Sequence, residues 1–408
     1  MKLVPIVFKS FLVSVFHPVF WAVVFLIVFL NHRQAGMKKT LFGMNDYDMW
    51  KQIYFTVIYG IFGGLVGSYI MVFFGISLTG IGIGYLWMLA VILMLINQRF
   101  ICFAYSGGLI SLSSILFGFP EVDVPQLMGL VAILHAVESL LILINGHMGA
   151  LPVYTRGAGG EVVGGFNLVR FWPIPITALM TMSGVQATGE VLSTPHWWPL
   201  IKPKMSGGSD DLIFFVFPVL AALGYGDLAI SRLPEKKSKF SAGVLGIYSA
   251  LLLGLSVLAS HFRSLSILPA LFSPLFHELT IRIGRNKELR GEPIFVNPPR
   301  GIMVLETLRD SVFDRMGLDT GDVILRINGI PVSSRRELRL AFSMYSWWME
   351  VEYMGHGDGL VRSVTMHKKL DEPLGLIIAP GEGDPPNVHL RSKGYLLRKI
   401  EELKNKWS

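Results

Sequence analysis

The chain has 408 residues, only 16% of them charged, with a mean hydropathy of +0.52, where soluble domains carry roughly 25% charge. That excludes an ordinary soluble protein, and the net charge of +7 comes without a basic, aromatic-interleaved stripe, so it points to loops near anionic lipid and not to nucleic acid. The single cysteine, Cys102, leaves no disulfide framework and no cysteine metal site, and reads as a small buried side chain.

Residues 1–284 are apolar stretches with short polar breaks. The run from Phe11 to Leu30 ends in Asn31-His32-Arg33 without a small-residue cleavage site, so it reads as an uncleaved membrane segment. A crossing helix needs about 20 apolar residues. On that basis the candidate spans are 12–30, 52–74, 81–97, 100–118, 127–145, 171–189, 212–231, 240–260 and 265–283. The sixth carries Pro173 and Pro175; the last carries Pro269, Pro274, His277, Glu278 and Arg282.

The expected fold class is thus a polytopic α-helical membrane protein of about eight or nine transmembrane helices. Lysine and arginine set the orientation. One threading keeps Arg33, Lys38, Lys39 and Lys51, then Arg99, Arg156 and Arg170, then Arg232, Lys236, Lys237 and Lys239 on the cytoplasmic side. Lys2, Lys9, Lys202, Lys204, Arg263 and the acidic Glu121–Asp123 loop face the other side.

Gly60 with Gly64, and Gly63 with Gly67, form small-residue faces that let helices approach, within the chain or in self-association. In the fifth span His135 and Glu138 share a helix face, and His147 follows. They read as a packing ion pair or as a proton or metal relay completed by other helices. Loop 146–170 is glycine-rich, lacks a phosphate-binding spacing and reads as a partly buried re-entrant loop. His277-Glu278-Leu279-Thr280-Ile281 opens like a zinc-protease motif, but position 281 is isoleucine where the second histidine belongs.

Residues 285–299 form a proline-containing linker and lead-in strand, 300–370 a small α+β domain, and 371–408 an extension whose residues 395–403 suit an amphipathic helix. Strand patterns cover 301–305 and 323–327, Asn328-Gly329 marks a tight turn, and Ser334 with Glu337 forms a capping box opening a helix to about residue 345.

The series Gly301-Ile302-Met303-Val304, Ser311, Met316-Gly317-Leu318, Gly321-Asp322-Val323-Ile324 and Ile327-Asn328-Gly329 resembles a bacterial-type PDZ domain. That resemblance implies capture of an extended peptide or free C-terminus as an added strand. It places the groove between Ile294, Phe295 and Val296 and the helix face of Leu338, Ala341 and Phe342. With the lead-in Pro274–Gly284, the whole chain resembles the MinJ family of division-site proteins. This resemblance implies a non-enzymatic scaffold, without cofactor or metal, that links DivIVA-like and MinD-like partners at septum or poles. The alternatives are an intramembrane protease or protease regulator, and a transporter using His135 and Glu138.

Overall fold

The computed structural model describes residues 3–42, 49–182, 194–204, 213–344, 347–369, 374–381 and 383–387. The amphipathic helix expected at 395–403 lies outside them.

The first helix, α1 (Leu3–Phe16), stops at His17-Pro18, and α2 (Pro18–Phe42) starts on that proline. Then come α3 (Met49–Phe74), α4 (Ile83–Ile96), α5 (Phe103–Phe117) and α6 (Val124–Asn145). After the sheet described below, the helices resume with α7 (Pro234–His261) and α8 (Ile267–Arg290). Among the described residues five helices are long and apolar enough to cross a membrane: α2, α3, α6, α7 and α8 with its preceding turn. This is fewer than the eight or nine expected. Helices α4 and α5, of 14 and 15 residues, reach only about 22 Å at 1.5 Å per residue, short of the roughly 30 Å apolar layer.

The larger correction concerns 171–189 and 212–231, expected as helices. Strands β1 (Leu151–Arg156), β2 (Val162–Met182) and β3 (Ile213–Ala229) form an antiparallel sheet in the order β1-β2-β3. The loop expected to be re-entrant is the start of this sheet. Pro173 and Pro175 would each remove a bond from a helix interior. In β2 they fall where only β3 pairs with the strand, opposite Ala222 and Leu220, an edge position that tolerates the missing N–H.

An open sheet edge among apolar helices needs partners for its backbone. Here α3 and the segment after it supply them. The carbonyls of Pro173 and Pro175 lie over Gly60 and Gly64, where any Cβ would collide with the oxygen. The Thr177 N–H donates to Ser68 Oγ at 2.8 Å. Leu179 exchanges bonds with Ile76 and Leu78, and Thr181 with the Thr79 hydroxyl. The other glycine pair of α3 packs on α6: Gly63 meets Leu141 and Gly67 meets Val137. Both small-residue faces are therefore covered within the chain.

Helix α6 is the most enclosed of the five long helices, and its side chains dominate a core shared with β2, α7 and α8. Beyond one end of the helices lie segments 75–82, 118–123, 194–204 and 262–266, joined by Arg263 to Asp123 at 2.7 Å, Gln126 to the Ile201 carbonyl at 2.6 Å, and the Asp123 N–H to Gly80. The ends of α2, α6 and α8 and the starts of α3 and α7 gather opposite, with Lys237 buried against Asp227 at 2.8 Å. Glu288 there accepts the N–H groups of Ile230 and Ser231.

On that second end sits a separate sheet with its own core. It comprises β4 (Ile302–Thr307), α9 (Val312–Arg315), β5 (Val323–Ile327), β6 (Ile330–Pro331), α10 (Arg335–Met344), β7 (Trp348–Met354), β8 (Val361–His367) and β9 (Leu376–Ile378). The strand order is β8-β7-β5-β4-β9, with β6 beside β5. Ser334 caps α10 by accepting from the Glu337 N–H at 3.2 Å, while Glu337 reaches back to the Ser333 N–H at 2.8 Å. Residues 291–299 form no strand.

Candidate functional site

Two places concentrate polar groups that packing alone does not require. The first is the outer edge of β9. Leu308 N–H bonds to the Gly375 carbonyl and Ala379 N–H to that of Met303, so residues 375 and 379 turn their backbone toward β4. By alternation Leu376 and Ile378 turn theirs away from it. Their side chains enter the same core as Leu338, Ala341 and Phe342 of α10.

The membrane body reaches this edge through Tyr154 of β1. Its hydroxyl donates to the Ile378 carbonyl at 2.8 Å and accepts from Arg335, the first residue of α10, at 2.8 Å. Arg335 also pairs with Asp384 at 2.9 Å. Asn387 brackets the Tyr154 backbone, donating to its carbonyl at 2.9 Å and accepting its N–H at 2.8 Å. Burial pushes the Tyr154 phenol above its ordinary pKa, and the Arg335 cation pulls it part of the way back.

Of the residues expected to line a groove, Leu338, Ala341 and Phe342 are on α10 beside this edge. Ile294, Phe295 and Val296 lie elsewhere. Phe295 is fully buried against Phe166, ring centroids 5.1 Å apart, and its carbonyl accepts from the Gly164 N–H at 2.9 Å. Ile294 donates to the Ile230 carbonyl, and Val296 is exposed. This segment clasps the two sheets together, helped by Lys38 to Glu306 at 2.8 Å. Tyr154, Arg335 and Ile378 were invisible to sequence reasoning. The one available signal was Leu374-Gly375-Leu376, an apolar triplet broken by a glycine that adopts φ +57°.

The second place lies among the helices. His135 of α6 and His277 of α8 both face Cys102, which caps the N-terminus of α5. Cys102 Sγ is 3.1 Å from His135 Nε2 and 3.5 Å from His277 Nε2, and the three donor atoms lie within 4.8 Å of one another. His135 Nδ1 is 2.7 Å from the Val131 carbonyl. A carbonyl only accepts, so Nδ1 carries the proton and Nε2 offers a lone pair. The rings of Tyr105 and Tyr248 wall the cluster.

Glu138, one turn beyond His135, makes no hydrogen bond or ion pair among the described residues. Glu278 points elsewhere: its carboxylate takes Tyr105 Oη at 2.9 Å, Arg282 at 3.1 Å and Arg99 at 3.3 Å, tying α8 to the turn between α4 and α5. His147 sits in the turn after α6, outside the cluster, and burial lowers its pKa. The cysteine count had set Cys102 aside, since it considered only sets made of several cysteines; a mixed set drawn from three helices leaves no local spacing to find.

No family model matches the chain. The chain is similar to the cell division topological determinant MinJ of Bacillus subtilis (strain 168). It resembles MinJ along most of its length. The two are 23% identical over 363 residues, which cover 83% of this chain and 86% of that protein.

Proposed function

We propose that this chain is a multi-pass membrane scaffold of division-site placement whose C-terminal module is a PDZ-like peptide-capture domain in the cytoplasm. The observation that carries this reading is the edge of β9 beside α10, which pairs with no further strand among the described residues, on a sheet docked to a body of apolar helices. An edge strand flanked by a helix accepts an extended segment by strand addition, with backbone bonds giving affinity and a side-chain pocket giving selectivity. Residues 374–376 and the open amides of Leu376 and Ile378 supply the strand, and Ala341 and Phe342 supply the pocket wall.

Membrane anchoring concentrates such a module for partners at the same surface. The likeness to MinJ points to division proteins as those partners, DivIVA-like and MinD-like ones among them. A non-enzymatic reading is supported by Glu278, whose carboxylate is engaged by Arg99, Arg282 and Tyr105 and so is not free to activate water. The threading of basic loops supports the cytoplasmic side: 33–42, 49–51, 146–170 and 232–239 all lie at the end that bears the C-terminal domain.

A fluorescent fusion followed in dividing cells tests the proposal. Enrichment at septa or poles that is lost when residues 300–408 are deleted is expected. A uniform membrane signal from the intact chain would sink it, as would cleavage of the C-terminal domain by protease added outside intact cells.

A further inference from the structure

We infer that Cys102, His135 and His277 form a zinc site that pins α5, α6 and α8 together within the membrane body. A thiolate with two imidazoles is a donor set for zinc, whose bonds run about 2.3 Å to sulfur and about 2.0 Å to nitrogen in a tetrahedron. Those lengths place sulfur and nitrogen ligands about 3.5 Å apart, against 3.5 Å and 3.1 Å here. One imidazole moving by a few tenths of an ångström brings both sulfur–nitrogen distances to that value.

The second argument is proton placement. His135 Nε2 offers a lone pair, and so does His277 Nε2 when its Nδ1, buried without a partner among the described residues, carries the proton; one thiol proton then satisfies one of the two. A cation satisfies both: Cys102 gives up its proton to solvent as zinc binds, and sulfur and both Nε2 atoms direct lone pairs at the metal. The backbone bond from His135 Nδ1 to Val131 is the outer contact that commonly orients a metal-bound histidine.

The third argument is charge. Glu138 lies within electrostatic reach of the Cys102 sulfur and makes no ion pair among the described residues. A bare carboxylate among apolar helices costs about 3 kcal/mol or more. A divalent ion with one thiolate and one carboxylate is neutral overall, so the site carries its own compensation. Glu138, one turn beyond His135 on the same helix, supplies the countercharge.

The test uses the full-length chain without a polyhistidine tag, purified in detergent. Elemental analysis is expected to find zinc in stoichiometric amount, and cobalt exchanged for zinc is expected to show a sulfur-to-cobalt charge-transfer band. Cys102→Ser should abolish that band. It should also weaken zinc binding by more than the roughly 10–100-fold that follows loss of an outer contact. Glu138→Gln leaves all three donors in place, so it should keep the band while binding zinc more weakly; this arm stands even if the cysteine variant misfolds. Only trace zinc and no cobalt band in the intact chain would overturn the assignment, as would undiminished zinc in a folded Cys102→Ser chain.

Discussion

Two of the molecule's sheet edges are treated oppositely. Along β2 the exposed side of the strand runs among apolar helices, and each outward N–H from Pro173 to Thr181 is met or removed. Two prolines delete donors, two glycines admit carbonyls, Ser68, Ile76 and Thr79 accept the N–H groups of Thr177, Leu179 and Thr181, and Leu78 and Thr79 donate to the carbonyls of Leu179 and Thr181. Along β9 the strand is buried as well, and among the described residues one outward backbone group, the Ile378 carbonyl, is engaged, through a single phenol. The first edge is closed because an unmet amide in an apolar layer costs several kcal/mol. The second is met by one hydrogen bond, where the membrane body touches the C-terminal domain.

The sharpest way to break the contrast is Gly64→Leu. The new side chain would drive into the Pro175 carbonyl, and overpacking of that kind costs about 3 kcal/mol. Thermal unfolding in detergent should show a large downward shift, and monodisperse yield should collapse. Ser68→Ala is next: it strands the Thr177 N–H in a buried edge, for which about 1–3 kcal/mol of destabilisation is expected. The same melting measurement checks it.

The β9 edge should respond differently. Tyr154→Phe keeps the buried ring and removes only the hydroxyl on the Ile378 carbonyl, so it should lower the melting point only slightly while tightening binding of a short apolar C-terminal peptide about tenfold, which corresponds to about 1.4 kcal/mol. Fluorescence anisotropy reads it, and unchanged or weaker binding would mean Tyr154 does not compete with peptide. Alkaline titration gives a parallel test. The phenol's pKa is raised in the folded state from an ordinary value near 10. Its contact therefore contributes fully below that value and is lost as pH rises through the folded pKa. The smallest effect belongs to Lys38→Ala. Lys38 is buried and Glu306 only partly exposed, so losing the pair should cost about 1 kcal/mol, and added salt should remove only part of the difference from the parent chain.

The legibility of these features in the sequence follows the range of the forces involved. Helices α3, α6 and α7 were evident because each is a long unbroken apolar run. Strands β2 and β3 have the same apolar length as a helix and, being buried on both faces over much of β2, lack the alternation that marks a half-exposed strand. Pro173 and Pro175 were the visible warning. In the C-terminal domain the turn at Asn328-Gly329 and the cap at Ser334 are local chemistry and were read directly. The occupant of β4's free edge was not, because sheet neighbours are set by topology: a strand from the far end of the domain lies there, while Phe295 packs on Phe166. His135, Glu138 and His277 drew attention as polar residues in apolar surroundings, yet their meeting with Cys102 depends on how three helices cross.

Phe295 has a consequence of its own for reach. Undocked and fully extended at about 3.5 Å per residue, the segment from Arg290 to Ile302 would be a leash of about 40 Å, letting the domain sweep a hemisphere beneath the bilayer. With that ring seated on Phe166 the leash is wound in, and the domain presents one fixed aspect to whatever diffuses along the membrane plane. Phe295 on Phe166, Tyr154 on Ile378 and Lys38 on Glu306 together hold that aspect in place.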